Sequence, residues 1–223
     1  MAVTEGAIST IKAMIVSGEL KPGARLPSEK ELSESLGLSR NSLREAVKSL
    51  EMIHVLEVRR GDGTYVTSLE PRLLLEAVTF AVELHQDSSV IDILEVRRIL
   101  ESHAAATASS RISDEQIELL AVSLAQLNNQ TPVEELVQHD LDFHRTITAA
   151  CNNDYLISLV ESMSSVTTRA RIWRGITEAG SVERTLAEHR NILSALRDRN
   201  PELASAWMIA HVSGVESWLR AAS

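Results

Sequence analysis

Along the first 66 residues the apolar positions change their period. Ile8, Ile11, Ala13 and Ile15 supply one side of a first helix that ends near Gly18. "SEKE" at 28–31 is a capping box, in which the Ser28 hydroxyl and the Glu31 carboxylate each satisfy a free backbone amide; a second helix begins there, runs to Leu36 and stops at Gly37. Ser39 is suited to N-cap a third helix whose buried side is Leu43, Ala46, Val47 and Leu50. Two short helices joined by "GLS" make a helix-turn-helix. The period then falls to two, with Leu56 and Val58, Thr64 and Val66 flanking a Gly-Asp-Gly turn, the pattern of a hairpin wing.

From Pro71 onward only helical patterns follow, broken at "QDSS", "RISD", "NNQTP", "CNND", "EAGS" and "RNP". The expected fold is mainly α: a winged helix-turn-helix in residues 1–68 and an all-helical bundle of six or seven helices in residues 69–223. No apolar run approaches the roughly 18–20 residues of a membrane helix, and the N-terminus lacks the order of a signal peptide, so a cytoplasmic protein with no membrane partner is expected. The single cysteine, Cys151, excludes an intramolecular disulfide framework and reads as a buried, inert thiol.

The net charge of −9 argues at first against a nucleic-acid partner. Its distribution reverses that. Residues 1–66 are balanced, and all the excess acid lies in residues 67–223. On the third helix Arg40, Arg44 and Lys48 recur every four residues opposite the core side, with Asn41 beside them. Arginine can bond a guanine edge through two donors, and Asn or Ser can reach bases or phosphates from the major groove. A merely solvated charged face is the alternative. The position directly after a capped helix-turn-helix, with Arg59 and Arg60 on the wing tip, favours DNA.

In the second half three apolar stripes are interrupted by polar groups. Val133, Leu136, Val137, Ile147 and Cys151 share a helix face with Asp140 and His144. His189 falls among Leu186, Leu193 and Leu196, and His211 among Ala204, Met208, Val215 and Trp218. Both histidines stand eleven residues from Asn200, so an antiparallel hairpin turning there sets the rings at one height. Asp140, His144, His189 and His211 therefore form a candidate cage for a divalent transition metal. A plain Asp140–His144 hydrogen bond and chance burial of all four are the alternatives. His139 and Asp142 read as surface residues, His103 as a packing or dimer-face residue and His85 as solvated. The tryptophans read as mostly core, with Trp173 and Trp207 as candidate cavity walls. Arg97, on the stripe Val90, Leu94, Glu101, Ala104 and Ala108, is either a clamp for a carboxylate or half of an Arg97–Glu101 ion pair.

"GELKPGARLPSEKELSESLGLSRNSLREAVKSLE" followed by "RRGDGTYV" closely resembles the winged module of GntR-type bacterial transcription regulators. His54 stands where that family commonly has a helix-ending glycine. The resemblance implies that Lys30, Ser39, Arg40, Asn41, Ser42 and Arg44, with Arg60 and Gly61 on the wing, contact double-stranded palindromic operator DNA. "EVRRILE" at 95–101, "DLDFH" at 140–144, "EHRNILSALRDRNPELA" at 188–204 and His211 resemble the FCD ligand-binding domain of the FadR subfamily. That likeness implies zinc, nickel or manganese on Asp140, His144, His189 and His211, a small carboxylic-acid effector held by Arg97, and a homodimer. The function expected is a transcriptional regulator, a repressor relieved by the acid. A regulator that senses the metal itself is the alternative, and a metal-dependent enzyme is a weaker one because Glu101 is the only evident base.

Overall fold

The structure, a computed structural model, describes residues 2–73 and 88–222. The chain divides into two compact units, Met1–Ala77 and Val78–Ser223. In the first, helices α1 (Ala2–Val16), α2 (Glu29–Leu36) and α3 (Arg40–Met52) precede strands β1 (Leu56–Arg59) and β2 (Gly63–Val66). The strands pair antiparallel from Leu56 opposite Val66 to Arg59 opposite Gly63. Ile11, Leu20, Leu26, Leu32, Leu43, Leu50, Leu56 and Val66 form the core.

Local chemistry sets these boundaries. Ser28 and Glu31 make the reciprocal capping box at the start of α2, and Gly37 closes the helix in the left-handed conformation at φ 63°. His54 reaches φ 56° after α3, where a glycine would be at ease. On α1, Ala13 is exposed and Ala7 is buried in its stead; lying two residues past Ile11, Ala13 falls about 200° around the helix. Ser28→Ala is expected to weaken the start of α2 by about 1 kcal/mol. Hydrogen exchange at the Glu31 and Leu32 amides should quicken about fivefold.

Seven helices make up the described part of the second unit: α4 (Ser88–Ser109), α5 (Asp114–Ala125), α6 (Val133–Ala149), α7 (Asp154–Val166), α8 (Thr168–Thr177), α9 (Ser181–Arg197) and α10 (Pro201–Ala222). The expected breaks from "RISD" to "RNP" fall between them, whereas His85 and the first half of "QDSS" lie outside the described residues. One break was not expected: Thr167 separates α7 from α8 within a pattern read as a single helix. Three consecutive β-branched residues, Val166 to Thr168, weaken the helix there. At the α9–α10 turn Arg199 takes φ 53° and the Asn200 side chain caps the Leu203 amide at 3.0 Å. α10 packs most extensively on α4, around a core that includes Leu94, Phe143, Ile147, Leu186, Leu196 and Met208. No helix of the described residues is long and apolar enough to cross a membrane. Cys151 is buried, with Sγ 3.3 Å from the Ala104 carbonyl.

Candidate functional site

The third helix carries its cations outward. Arg40, Asn41, Arg44 and Lys48 are exposed while Leu43, Ala46 and Leu50 face the core. The Ser39 hydroxyl accepts the Ser42 amide at 3.1 Å and meets the Ser42 hydroxyl at 2.9 Å, fixing the helix start. Arg44 is paired with Glu29 at 2.9 Å and Lys48 with Glu45 at 3.1 Å. Exposed pairs of this kind are worth about 0–1 kcal/mol, so both cations remain available to phosphate. Lys30 is exposed on the first turn of α2, and Arg60 and Gly61 are exposed on the wing turn. Three contacts brace that turn: Arg25 donates to the Asp62 carbonyl, Tyr65 donates to the Asp62 carboxylate at 2.8 Å, and Arg59 stacks 4.3 Å over the Tyr65 ring.

Within the second unit α6 supplies Asp140 and His144, α9 supplies His189 and α10 supplies His211. One donor atom from each lies within 4.8 Å of all the others, and the four residues are buried. The Nε2 atoms of His189 and His211 each stand 3.1 Å from Asp140 Oδ1. His144 Nε2 is 3.5 Å from that oxygen and 3.0 Å from His211 Nε2. The hairpin turning at Asn200 brings the His189 and His211 rings to 4.7 Å between centroids, as their equal spacing requires. Asp140 and His144 are thus part of a four-residue constellation rather than an isolated pair.

Carboxylates behind two of the rings determine where the lone pairs point. His211 Nδ1 is 2.9 Å from Glu188 Oε2, and His144 Nδ1 contacts Glu101 Oε2. In the neutral imidazoles that metal binding requires, each Nδ1 then carries the proton, which turns an unprotonated Nε2 toward the centre. In that state two nitrogen lone pairs and the Asp140 oxygen would repel one another unless a cation lies among them; in the metal-free protein the second proton of a charged His211 takes that place. A first-row divalent ion about 2.1 Å from each donor sets neighbouring donors about 3.0–3.4 Å apart. The donor set therefore fits a metal ion.

Electrostatics around the cluster are uneven. Burial alone would raise the Asp140 carboxyl, but His144 and Arg171 outweigh it and hold it well below the ordinary carboxylate range. Burial pushes His189 down to about 3. Burial also acts to lower His211, yet its bonds to Asp140 and Glu188 prevail and raise it to about 9. The signs give a testable profile for the metal-free protein. Stability from the protonated His211 is complete below pH 6.5 and lost as pH rises through 9, whereas His189 costs stability as pH falls below 6.5 toward 3. Urea unfolding in a chelator should show greatest stability near pH 6.5. Bound metal, which needs neutral imidazoles, should remove the alkaline decline.

The remaining residues fall partly where the sequence pattern put them and partly elsewhere. Arg97 is 2% exposed, donates to Glu101 at 2.6 Å and to the Thr167 hydroxyl at 2.6 Å, so the ion pair is formed. His139 is buried rather than on the surface: with Leu136 and Phe143 it makes a second buried face of α6, and its Nδ1 meets the Ser123 hydroxyl at 2.9 Å. Asp142 is exposed, and so is His103. Trp173 is 65% exposed against the edge of Trp218, and so does not wall the cluster. α8 is inverted, burying Arg171 and Arg174 and exposing Trp173 and Ile176. Arg171 contacts Asp140 Oδ2 through Nη1 and donates to the Ser164 carbonyl at 2.5 Å through Nη2. Sequence reasoning missed it, since a pattern rule puts the tryptophan inside. The one available signal was a pair of arginines three residues apart.

An exposed basic helix behind a capped turn, a braced wing and a separate helical unit with a buried polar centre define a DNA-binding regulator of the winged helix-turn-helix class. Residues 4–66 match the family of bacterial regulatory proteins called gntR, and residues 92–214 match the FCD domain. The chain belongs to the GntR family, as a transcriptional regulator carrying an FCD domain. It is 32% identical over 212 residues to the HTH-type transcriptional regulator LutR of Bacillus subtilis (strain 168), covering 92% of this chain and 96% of LutR. It is 28% identical over 211 residues to the galactonate operon transcriptional repressor of Escherichia coli (strain K12), covering 90% of each. Among solved structures, Streptococcus agalactiae GntR is 28% identical and superposes with a TM-score of 0.65, covering 96% of this chain and 99% of that one. These relatives are named as regulators, and the chain is a regulator rather than an enzyme.

Proposed function

We propose that the chain is a cytoplasmic, homodimeric repressor that leaves its operator when a small organic acid binds at a divalent-metal centre in the FCD domain. Asp140, His144, His189 and His211 hold the ion, with zinc the first choice for this nitrogen-rich set and nickel or manganese as alternatives. When bound, the ion supplies fixed positive charge and coordination positions that an acid can complete. Lys30, Ser39, Arg40, Asn41, Ser42, Arg44, Arg60 and Gly61 make the contact with palindromic DNA, two recognition helices per dimer.

The observation that carries the acid is a crowding of guanidinium groups beside the cluster. Arg97 Nη1 and Arg171 Nη2 approach the same Thr167 hydroxyl, at 2.6 Å and 3.4 Å. Two buried cations side by side repel one another, and a carboxylate received between them relieves that repulsion with two-pronged hydrogen bonds. Arg97 is in this way the carboxylate clamp, with Arg171 as its neighbour. A galactonate operon repressor among the relatives supports an acid, galactonate being a carboxylate. Binding draws on α4, α6, α8, α9 and α10 together, and so favours one arrangement of these helices over another; linkage carries that preference to the DNA affinity of the dimer.

Metal and a panel of short carboxylic acids, titrated separately against labelled operator, test the proposal. DNA release that requires an acid supports it. Release by metal alone means that the ion is the signal.

A further inference from the structure

We infer that the effector site has a second anchoring point at Arg174, so that the acid it accepts is bifunctional: a short carboxylic acid bearing an oxygen acceptor, a hydroxyl or second carboxylate, at its far end. This rests on the acid-effector proposal and narrows it. Arg174 is 3% exposed, deeper than the apolar Trp173 and Ile176 beside it on α8. Burying a guanidinium while a tryptophan faces solvent is costly unless the cation is fully bonded. It is not fully bonded. Arg174 Nε donates to Glu178 at 2.5 Å, and Glu178 is shared with Arg184, but Arg174 Nη2 and Arg171 Nε are buried with no hydrogen-bond partner.

Both orphaned donors belong to residues lining one cavity of about 30 Å³, together with Asp140, His211, Ser181 and Thr185. The cavity thus runs from the ligand cluster to Arg174. α10 makes room for the Arg174 guanidinium at Gly214, where an added Cβ would lie 3.2 Å from Nη2. At its present size the cavity holds about one water. An acid enters by drawing Arg171 off Asp140, trading one carboxylate partner for another. Arg171 and Arg174 are three apart on a helix, so their side chains leave α8 roughly 5–6 Å apart. Both guanidinium groups thus leave the same side of α8, an arrangement that a short acid with an acceptor at each end can span. Charge balance supports an acid: with a divalent ion in place, Arg97, Arg171 and Arg174 bring more positive charge than Asp140, Glu101, Glu178 and Glu188 neutralise, by the charge of one carboxylate.

Calorimetric titration of the zinc-loaded full chain with glutarate, D-gluconate and butanoate tests the assignment. Either bifunctional acid is expected to bind at least about tenfold more tightly than butanoate, the effect of one charge-assisted hydrogen bond. Arg174→Gln should collapse that preference to within about twofold, with bound zinc measured on the same sample as the check on folding. Arg174→Lys, which keeps the charge but loses the fork, should fall between and serves if the glutamine variant does not fold. A preference that survives in Arg174→Gln, or equal binding of all three acids by the wild type, overturns this inference and leaves the acid proposal standing. Binding of none of the acids overturns both.

Discussion

Replacing Asp140 with alanine is expected to empty the proposed metal centre and to destabilise the FCD unit by about 3–5 kcal/mol. The carboxylate is shared between two tasks. Oδ1 stands 3.1 Å from both His189 and His211, and Oδ2 contacts Arg171. Its loss removes one of the four proposed ligands and leaves a guanidinium that is 8% exposed without its ion-pair partner. Those two consequences separate in a double variant. Asp140→Ala with Arg171→Leu removes both charges and should recover most of the stability, because a buried ion pair replaced by apolar groups of similar volume is close to neutral. It should not recover metal. Bound metal per chain, measured beside urea unfolding for wild type, single and double variants, gives the comparison. One full equivalent retained by Asp140→Ala would falsify the assignment of Asp140 as a ligand.

The sequence exposes the buried Asp–His cluster because its chemistry breaks a periodic pattern. Asp140, His144, His189 and His211 each occupy a position that the stripe assigns to an apolar residue, and the hairpin count about Asn200 pairs two of them across helices. The elements of the winged module were legible for a different reason: a capping box, a serine N-cap, a left-handed glycine and a Gly-Asp-Gly turn act over a few residues and depend little on the tertiary setting. Glu101 and Glu188 behind the rings, and Arg171 against Asp140, were not found as partners. Their roles come from the crossing of α4, α6, α8, α9 and α10, which no spacing along one helix encodes. α8 is the clearest case. A hydrophobic-moment argument orients it by Trp173 and Ile176, whereas the bonds available to Arg171 and Arg174 inside the bundle turn it the other way. His139 was misplaced because α6 buries two faces and periodicity finds only the stronger.

Arg40→Ala is expected to abolish specific operator binding. The sequence around the recognition helix has no surplus of charge, since residues 1–66 carry equal numbers of acidic and basic groups and the remainder brings the chain to −9. Attraction to DNA must therefore come from a few cations placed together, of which Arg40, Arg44 and Lys48 share one exposed stripe of α3. Arg40 is the first residue of that helix, where recognition helices present side chains to base edges. No ion pair holds Arg40 among the described residues, while Arg44 and Lys48 are paired with Glu29 and Glu45. A lost two-donor contact to a base costs about 1–3 kcal/mol, and the proposed dimer would lose it twice, which is a fall of about 30-fold to more than 10⁴-fold. Lys48→Ala, about two helical turns from Arg40 and suited to phosphate, should instead weaken operator and scrambled DNA alike and reduce the salt slope by about one. Anisotropy titrations on an operator selected from random duplexes, set against a scrambled duplex at two salt concentrations, distinguish the two behaviours. Undiminished preference for the operator in Arg40→Ala would place base reading elsewhere on α3, with Asn41 and Arg44 next to be replaced.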